Sequence, residues 1–307
     1  MADAGANVLL VIVGPTASGK SVLALDVAER RGGELVSADS RTVYRWMDIG
    51  TAKPTPAERA RVPHHLLDVV DPDEQYTLAQ YQEQALGAIE RIHGRGRLPV
   101  LVGGAGLYVS AVCDGLRLPN VAPDAEYRAG LEDRDWQSLQ AELAQVDPES
   151  KRRIDPKNKR RVIRALEVHH ATGVPFSKWQ AHRDEPPFKP VFVGLQVERP
   201  ELYRRIDIRI DAWIEAGLLN EVRALLERGY SPNLPSMSGI GYRELAQVIE
   251  GHLAVDDAVQ QMKHATHAYA RRQLTWFRRD ARIHWLDATL ASDRQQRFLV
   301  ELLEDQW

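Results

Sequence analysis

The run NVLLVIV, Asn7–Val13, passes directly into GPTASGKS, Gly14–Ser21, and then into SVLALDVAERRGG. A continuous apolar, β-branched stretch of this kind predicts a strand buried on both faces. Beyond the turn, Val22, Leu25 and Ala28, with Leu23 and Val27 beside them, recur at helical spacing, and Gly32 supplies a stop. Strand, glycine turn and helix in that order confine the chain to an α/β architecture. The turn fits G-x-x-x-x-G-K-[ST]. Gly14 and Gly19 let backbone N–H groups converge, the helix start adds its positive end, and Lys20 adds a full charge. Pro15, Thr16, Ala17 and Ser18 complete the loop, and the Ser21 hydroxyl suits Mg2+. Such a loop cradles a phosphate chain without saying what organic group the chain carries.

The same grammar returns twice. ELVSADS predicts a second strand that ends at Asp39–Ser40. RLPVLVGGAGLYVSAV repeats strand, turn and helix, with Val100–Val102 as strand and Leu107–Val112 opening a helix. Strands alternating with helices build a parallel sheet, and its ligands gather at the carboxyl ends of the strands. Gly14–Ser21, Asp39–Ser40 and Gly103–Gly106 are therefore expected to converge on one cleft. Nucleotide hydrolases usually offer an Asp at the end of a second apolar strand to help hold Mg2+. PVLVGG ends in glycines instead, which counts against a motor-type NTPase and leaves a small-molecule kinase open. Asp39, at a strand end beside the loop, suits a general base or a Mg2+ partner, and equally a turn or cap aspartate.

Near Leu118 the pattern changes. LPNVAPDAEYRAGL reads as a proline-marked linker, and Asp124 to about Thr172 is polar and helical. PVFVGLQV, Pro190–Val197, predicts a strand returning to the sheet, followed by a long amphipathic helix region from Glu201 to Gly229 and two or three more helices. The expected fold is α/β: a P-loop NTPase-like parallel sheet core, residues 1–118 and 188–307, with an all-helical insertion domain at 119–187.

Of the 307 residues 44% are hydrophobic, enough for a core, and the net charge of −3 leaves any nucleic-acid site to a local patch. Cys113 is the single cysteine, so no intrachain disulfide or cysteine zinc site can form, in keeping with a cytoplasmic protein. The early apolar run is too short for a membrane span.

GPTASGKS, ADSRTVYRWMDIGTAKP, VPHHLLDVVDP, LVGGAGLY, KRRVIRALEV, IGYREL and RRQLTWFRRD occur in this order. Together they resemble the tRNA dimethylallyltransferases (tRNA isopentenyltransferases, the IPP transferase family), from about residue 8 to about residue 280. DIGTAKP and HHLLD are not general P-loop features. The resemblance implies a P-loop that hydrolyses no nucleotide. It implies transfer of a dimethylallyl group from dimethylallyl diphosphate to the exocyclic amine of the adenosine immediately 3′ of the anticodon, in tRNAs reading codons that begin with U. It assigns Asp39 as general base, and Lys20, the loop and Mg2+ at Ser21 to the diphosphate leaving group. Arg209 matches an arginine facing the diphosphate, with an exposed, acid-paired helix arginine as the plain alternative; Arg128 is placed similarly. Thr16 and Ser40 fall in matching segments, where backbone capping explains them equally well. Two positions depart from the family pattern: Ala105 stands where GGTGLY has threonine, and Thr42 where glutamine is common.

KRRIDPKNKRRVIRALEV concentrates positive charge in a chain of net −3. Such a cluster serves phosphate-backbone binding or a solvated helix face. The resemblance places the segment Arg160, Arg161, Val162, Ile163 and Arg164 on the anticodon stem, and Ser40, Arg41, Thr42 and Ala105 with Asp39 near the target base. That base must leave its stack to reach a carboxylate. His64, His65, His169 and His170 are expected to pack and hydrogen-bond rather than bind metal. In YARRQLTWFRRD the aromatics suit a core face, and the arginines suit RNA or contacts at the top of the sheet. The expected partners are tRNA and dimethylallyl diphosphate, with Mg2+ and no membrane. A monomer is expected; the compact length, with no cysteine/histidine zinc finger after the core and no transit-like leader, suggests an enzyme of bacterial type. A P-loop kinase would instead consume ATP or GTP, and a relic RNA-binding protein would bind without turnover.

Overall fold

The computed structural model describes residues 7–119, 121–181 and 183–304. Six strands form one sheet: β1 (Val8–Val13), β2 (Glu34–Ser37), β3 (His64–His65), β4 (Pro99–Gly103), β5 (Lys189–Gln196) and β6 (Ile283–Asp287), in the order β3-β2-β4-β1-β5-β6. Every pairing is parallel. β1 sits between β4 and β5, with Leu10 opposite Val100 on one side and Val191 on the other. All six of its residues are buried, as a doubly covered strand requires. Leu10 and Ile12 pack with Leu23 and Val27 of the helix Lys20–Arg31, which ends at Gly32 in a left-handed cap.

A second core binds the loop after β2 to the C-terminal helices. Val43, Tyr44 and Met47 pack with Leu202 and Ile206 of the helix Arg199–Glu215, Leu218 and Val222 of Leu218–Glu227, and Tyr242 and Met262 further on. The helix region expected as one piece from Glu201 breaks at Gly217, whose φ of +94° suits glycine far better than a residue with a Cβ. β3 and β6 carry no apolar run. β3 is two histidines, and β6, at the edge, exposes His284 and Asp287, so neither announces itself as a strand.

Thr77–Gln82 with Ser110–Pro186 forms a separate compact unit, and the remaining segments Met1–Tyr76, Glu83–Val109 and Pro187–Trp307 form the other. The smaller unit begins earlier than the linker pattern suggests because Gln82 Nε2 donates to the carbonyls of Ala111 and Leu116, at 2.6 and 2.7 Å. Its helices Ala125–Glu132, Trp136–Val146, Pro148–Arg153 and Lys159–Thr172 are each opened by an Asp or Asn whose side chain accepts a backbone N–H of the first turn. Leu131, Leu139, Leu143, Val162, Ile163 and Leu166 form its core. Among the described residues, no helix is long and apolar enough to cross a membrane.

Candidate active site

The loop Gly14–Ser21 leaves β1, Ala38–Asp39 leaves β2, and the turn Gly103–Gly106 leaves β4, all at carboxyl ends of adjacent strands. They touch directly: Ala105 N–H donates to Ala38 O at 3.2 Å, and a Cβ on Gly103 would lie 2.1 Å from that same oxygen. Close backbone approach thus requires glycine at 103. Gly14 has φ +145° and Gly19 φ +94°, while Ala17 holds φ +63°, conformations of the kind that let a loop turn N–H groups toward an anion. Ser18 Oγ is buried there without a hydrogen-bond partner.

Two cavities meet at this point. One, of about 160 Å³, is lined by Lys20, Ser21, Thr42, Gly103, Gly104 and Arg209 among others; the second, of about 330 Å³, by Ser40, Arg41, Trp213, Tyr242, Tyr269 and Arg272 among others. Thr16 and Asp39 line both. One space is therefore cationic and backed by the phosphate loop; the other has aromatic walls. The Asp39 carboxylate stands on their common boundary, with Oδ1 accepting the Arg41 N–H at 2.8 Å.

The electrostatics favour an anion. Burial, then the nearby Arg209 guanidinium, holds the Lys20 ammonium down to about 7, with Asp39 pulling the other way. Burial also works against the charge on Arg209. Lys20 Nζ donates to Pro15 O at 2.7 Å, and Arg209 reaches Thr16 Oγ1 at 3.5 Å. Two desolvated cations side by side are satisfied by a bound polyanion. An anion restores the Lys20 proton, so binding of inorganic diphosphate at pH 8 is expected to take up about 0.9 of a proton more in the wild type than in Lys20→Arg, and about 0.1 more at pH 6. Calorimetry in buffers of different ionisation enthalpy reads the difference, and common protons of diphosphate itself cancel.

The loop bearing Asp39 is clamped in place. Arg41 donates to Pro235 O at 2.8 Å, Ser236 O at 3.1 Å and Ser238 Oγ at 3.2 Å. Lys53 of DIGTAKP is buried and donates to Tyr44 O, Asp48 and Asp68 at 2.6–2.7 Å. Glu221 accepts the N–H groups of Asp48 and Ile49 and the Tyr242 hydroxyl, at 3.0, 2.8 and 2.6 Å. DIGTAKP and IGYREL thus brace one another and also wall the cavities, through Thr51, Ala52 and Tyr242. Thr42 is buried too, and its hydroxyl pairs with Ser37 Oγ at 2.9 Å, bracing the Asp39 turn at the cavity wall. Ala105 and Ser40 lie half-buried at the cleft.

Sequence reasoning missed Gln273. Its Oε1 accepts the Thr16 N–H at 2.8 Å and its Nε2 donates to Gly104 O at 2.9 Å. The only signal was a polar residue on the buried side of an amphipathic helix. It also missed Tyr269 and Trp213 as cavity walls. The aromatic Trp276 is not core; it is half exposed and lies against Gly106, where a Cβ would sit 2.3 Å from its ring.

In the helical unit, Arg160 and Arg161 are exposed. Val162 and Ile163 are core, so their side chains cannot meet RNA. Arg128 is bidentate to the buried Glu167 at 2.7 and 2.8 Å, and Arg164 pairs with the same carboxylate at 2.5 Å. Burial pushes the Glu167 carboxyl up, but these arginines outweigh it and leave it below the usual carboxylate value. Arg128 and Arg164, expected among the tRNA contacts, thus also form an ion cluster with Glu167 while staying partly exposed. His64 Nδ1 meets Val62 O at 2.9 Å and His65 Nε2 meets Glu34 at 2.7 Å, both on a strand rather than a helix, while His170 stacks on Tyr127. Among the described residues, no group of three or more His, Cys, Asp or Glu side chains could hold a metal.

Known proteins resemble this chain over nearly its whole length. The IPP transferase family model matches residues 42–280. The tRNA dimethylallyltransferase of Roseiflexus castenholzii is 55% identical over 94% of this chain and 95% of its own. The solved tRNA isopentenylpyrophosphate transferase of Bacillus halodurans shares 40% identity and a TM-score of 0.73 over 98% of both chains. A eukaryotic dimethylallyltransferase acting on tRNA superposes with a TM-score of 0.83 and 28% identity, over 97% of this chain and 80% of its own. The chain belongs to the IPP transferase family, the tRNA dimethylallyltransferases.

Proposed function

We propose that the protein transfers a dimethylallyl group from dimethylallyl diphosphate to the exocyclic N6 amine of the adenosine immediately 3′ of the anticodon, position 37, in tRNAs reading codons beginning with U. The products are N6-isopentenyladenosine and diphosphate. The observation that carries this is the position of Asp39 on the wall shared by a cationic and an aromatic-walled cavity.

Diphosphate departs with high negative charge. The N–H groups of the loop left free for the anion, with Lys20 and Arg209, oppose that charge where it grows. The bond from the donor C1 to the diphosphate oxygen breaks as the N6–C1 bond forms. The adenine amine is a weak nucleophile because its lone pair is delocalised into the ring, and Asp39 accepts the proton that N6 loses. Gly14, Pro15, Thr16, Ala17, Ser18 and Gly19 act as the diphosphate cradle. Ser21 offers a hard, exposed hydroxyl on the same cavity as Asp39, a donor set that suits Mg2+ held mainly through substrate phosphates. A Mg2+ bound there would supply further neutralisation of the leaving group. The target base is flipped out, since a stacked amine cannot reach a carboxylate at a cavity wall.

Arg160 and Arg161 of the helical unit serve the anticodon stem. Replacing both with alanine is expected to make the slope of log affinity for tRNA against log salt shallower by about 1.8 if both meet duplex phosphates. Folding is expected to be unchanged, as both side chains are exposed. Filter binding across salt concentrations reads the slope.

Mixing the protein with Mg2+, tRNA and labelled dimethylallyl diphosphate tests the reading. Label is expected in tRNA. Phosphate release from ATP without such label would favour a P-loop kinase, and tRNA binding without turnover a relic.

A further inference from the structure

Gln273 lies on the helix Val255–Phe277, and its side chain is only 5% exposed. Its single amide spans two loops that leave different strands: Oε1 accepts from Thr16 N–H at 2.8 Å and Nε2 donates to Gly104 O at 2.9 Å. A Cβ at Gly104 would lie 2.1 Å from Nε2, so this close approach is what demands glycine there. Thr16 lines both cavities, and Tyr269 and Arg272 of the same helix line the aromatic-walled one.

We propose that Gln273 is a positioning residue for the transfer, fixing the phosphate loop and the glycine turn in register with the helix that walls the adenine side. The proposal rests on the transferase reading above. Gln273 need not touch either substrate. It sets where the donor's diphosphate lies relative to Asp39, and a displacement of about 1 Å between reacting groups can cost on the order of 10²-fold in rate. An amide is suited to this because it offers an acceptor and a donor on one rigid plane, with no charge to compete for the diphosphate. Methionine has similar length and neither function.

The test is a cycle of Gln273→Met, Gln273→Ala, Gly104→Ala and the Gln273→Ala/Gly104→Ala double variant. Each single change is expected to lower kcat by about 30–100-fold, with KM for tRNA within about twofold of wild type. Gly104→Ala acts by pushing the amide away, so the double variant is expected to be no slower than the slower single. Losses that multiply in the double variant would overturn the proposal, as would a kcat within twofold of wild type for Gln273→Met. A fall in thermal midpoint with unchanged kcat per folded molecule would reduce Gln273 to a packing role. Affinity for inorganic diphosphate, measured without tRNA, gives a second readout. The singles are expected to bind about tenfold more weakly, again without multiplication. Should the wild type transfer no label to tRNA, the functional reading fails while this binding cycle still decides whether Gln273 holds the loop.

Discussion

Replacing Asp39 with alanine or asparagine is expected to slow the transfer step by 10²–10⁴-fold, the range for loss of a general base. Asparagine is the sharper variant. Its side-chain carbonyl can still accept the Arg41 N–H that Asp39 accepts at 2.8 Å, so the turn keeps its shape. What it cannot do is take a proton. The clamps on this loop, from Arg41 to Pro235 and from Glu221 to Asp48 and Ile49, do not involve the Asp39 carboxylate. Single-turnover rates with saturating donor and tRNA isolate the step. Diphosphate affinity is expected to be kept or slightly improved, because a negative charge beside the anion site is gone. Near wild-type turnover in Asp39→Asn would remove the carboxylate from the chemistry and leave it a turn residue.

Lys20→Met is expected to reduce the transfer rate by about 10²–10³-fold, comparable to removing one donor aimed at developing negative charge. Diphosphate affinity is expected to fall with it, since Lys20 and Arg209 share the cationic cavity. Stability is expected to move the other way. The Lys20 pKa falls from 10.5 to about 7 on folding. The unfolded chain therefore holds this proton more tightly, and the charged lysine opposes folding in full below about pH 7. The penalty shrinks as pH rises from about 7 toward 10.5. Donor-free Lys20→Met is thus expected to exceed the wild type in thermal midpoint most at pH 6 and least near pH 9. Such opposition between stability and activity is characteristic of a functional group held in an unfavourable setting. Thermal melts of donor-free protein across that range, beside single-turnover rates, check both halves. An unchanged rate would remove Lys20 from leaving-group stabilisation.

The parts legible in sequence are those where local pattern and long-range role coincide. β1 and the phosphate loop could be read because a run of six buried residues and a fixed glycine spacing both act over a short stretch. The ends of β1, β2 and β4 met as a parallel sheet requires. β3 was invisible because two histidines have no periodicity, and β6 because its five residues neither alternate nor form an apolar run, His284 and Asp287 being exposed. The basic helix shows a different limit. Its charge count is plain in the sequence, but which arginines are free is not. Arg164 pairs with Glu167, as Arg128 of a neighbouring helix does, and the burial of that carboxylate depends on how helices pack, while Arg160 and Arg161 remain exposed. Gln273 lies some 250 residues beyond the loop it holds, the separation to Thr16 being 257, and only the fold brings them together. DIGTAKP pointed to the family without revealing its task, because the burial of Lys53 and the close contact of Gly50 with Tyr242 appear only in the fold.

The most direct measurement is nucleoside mapping of an unmodified tRNA that reads codons beginning with U, after incubation with the protein, Mg2+, ATP and dimethylallyl diphosphate. One isopentenyl group on N6 of the adenosine 3′ of the anticodon is expected for each diphosphate released, with ATP untouched. ATP consumption without prenylation, or prenylation at any other atom or position, would contradict the reaction assigned to Asp39 and the phosphate loop.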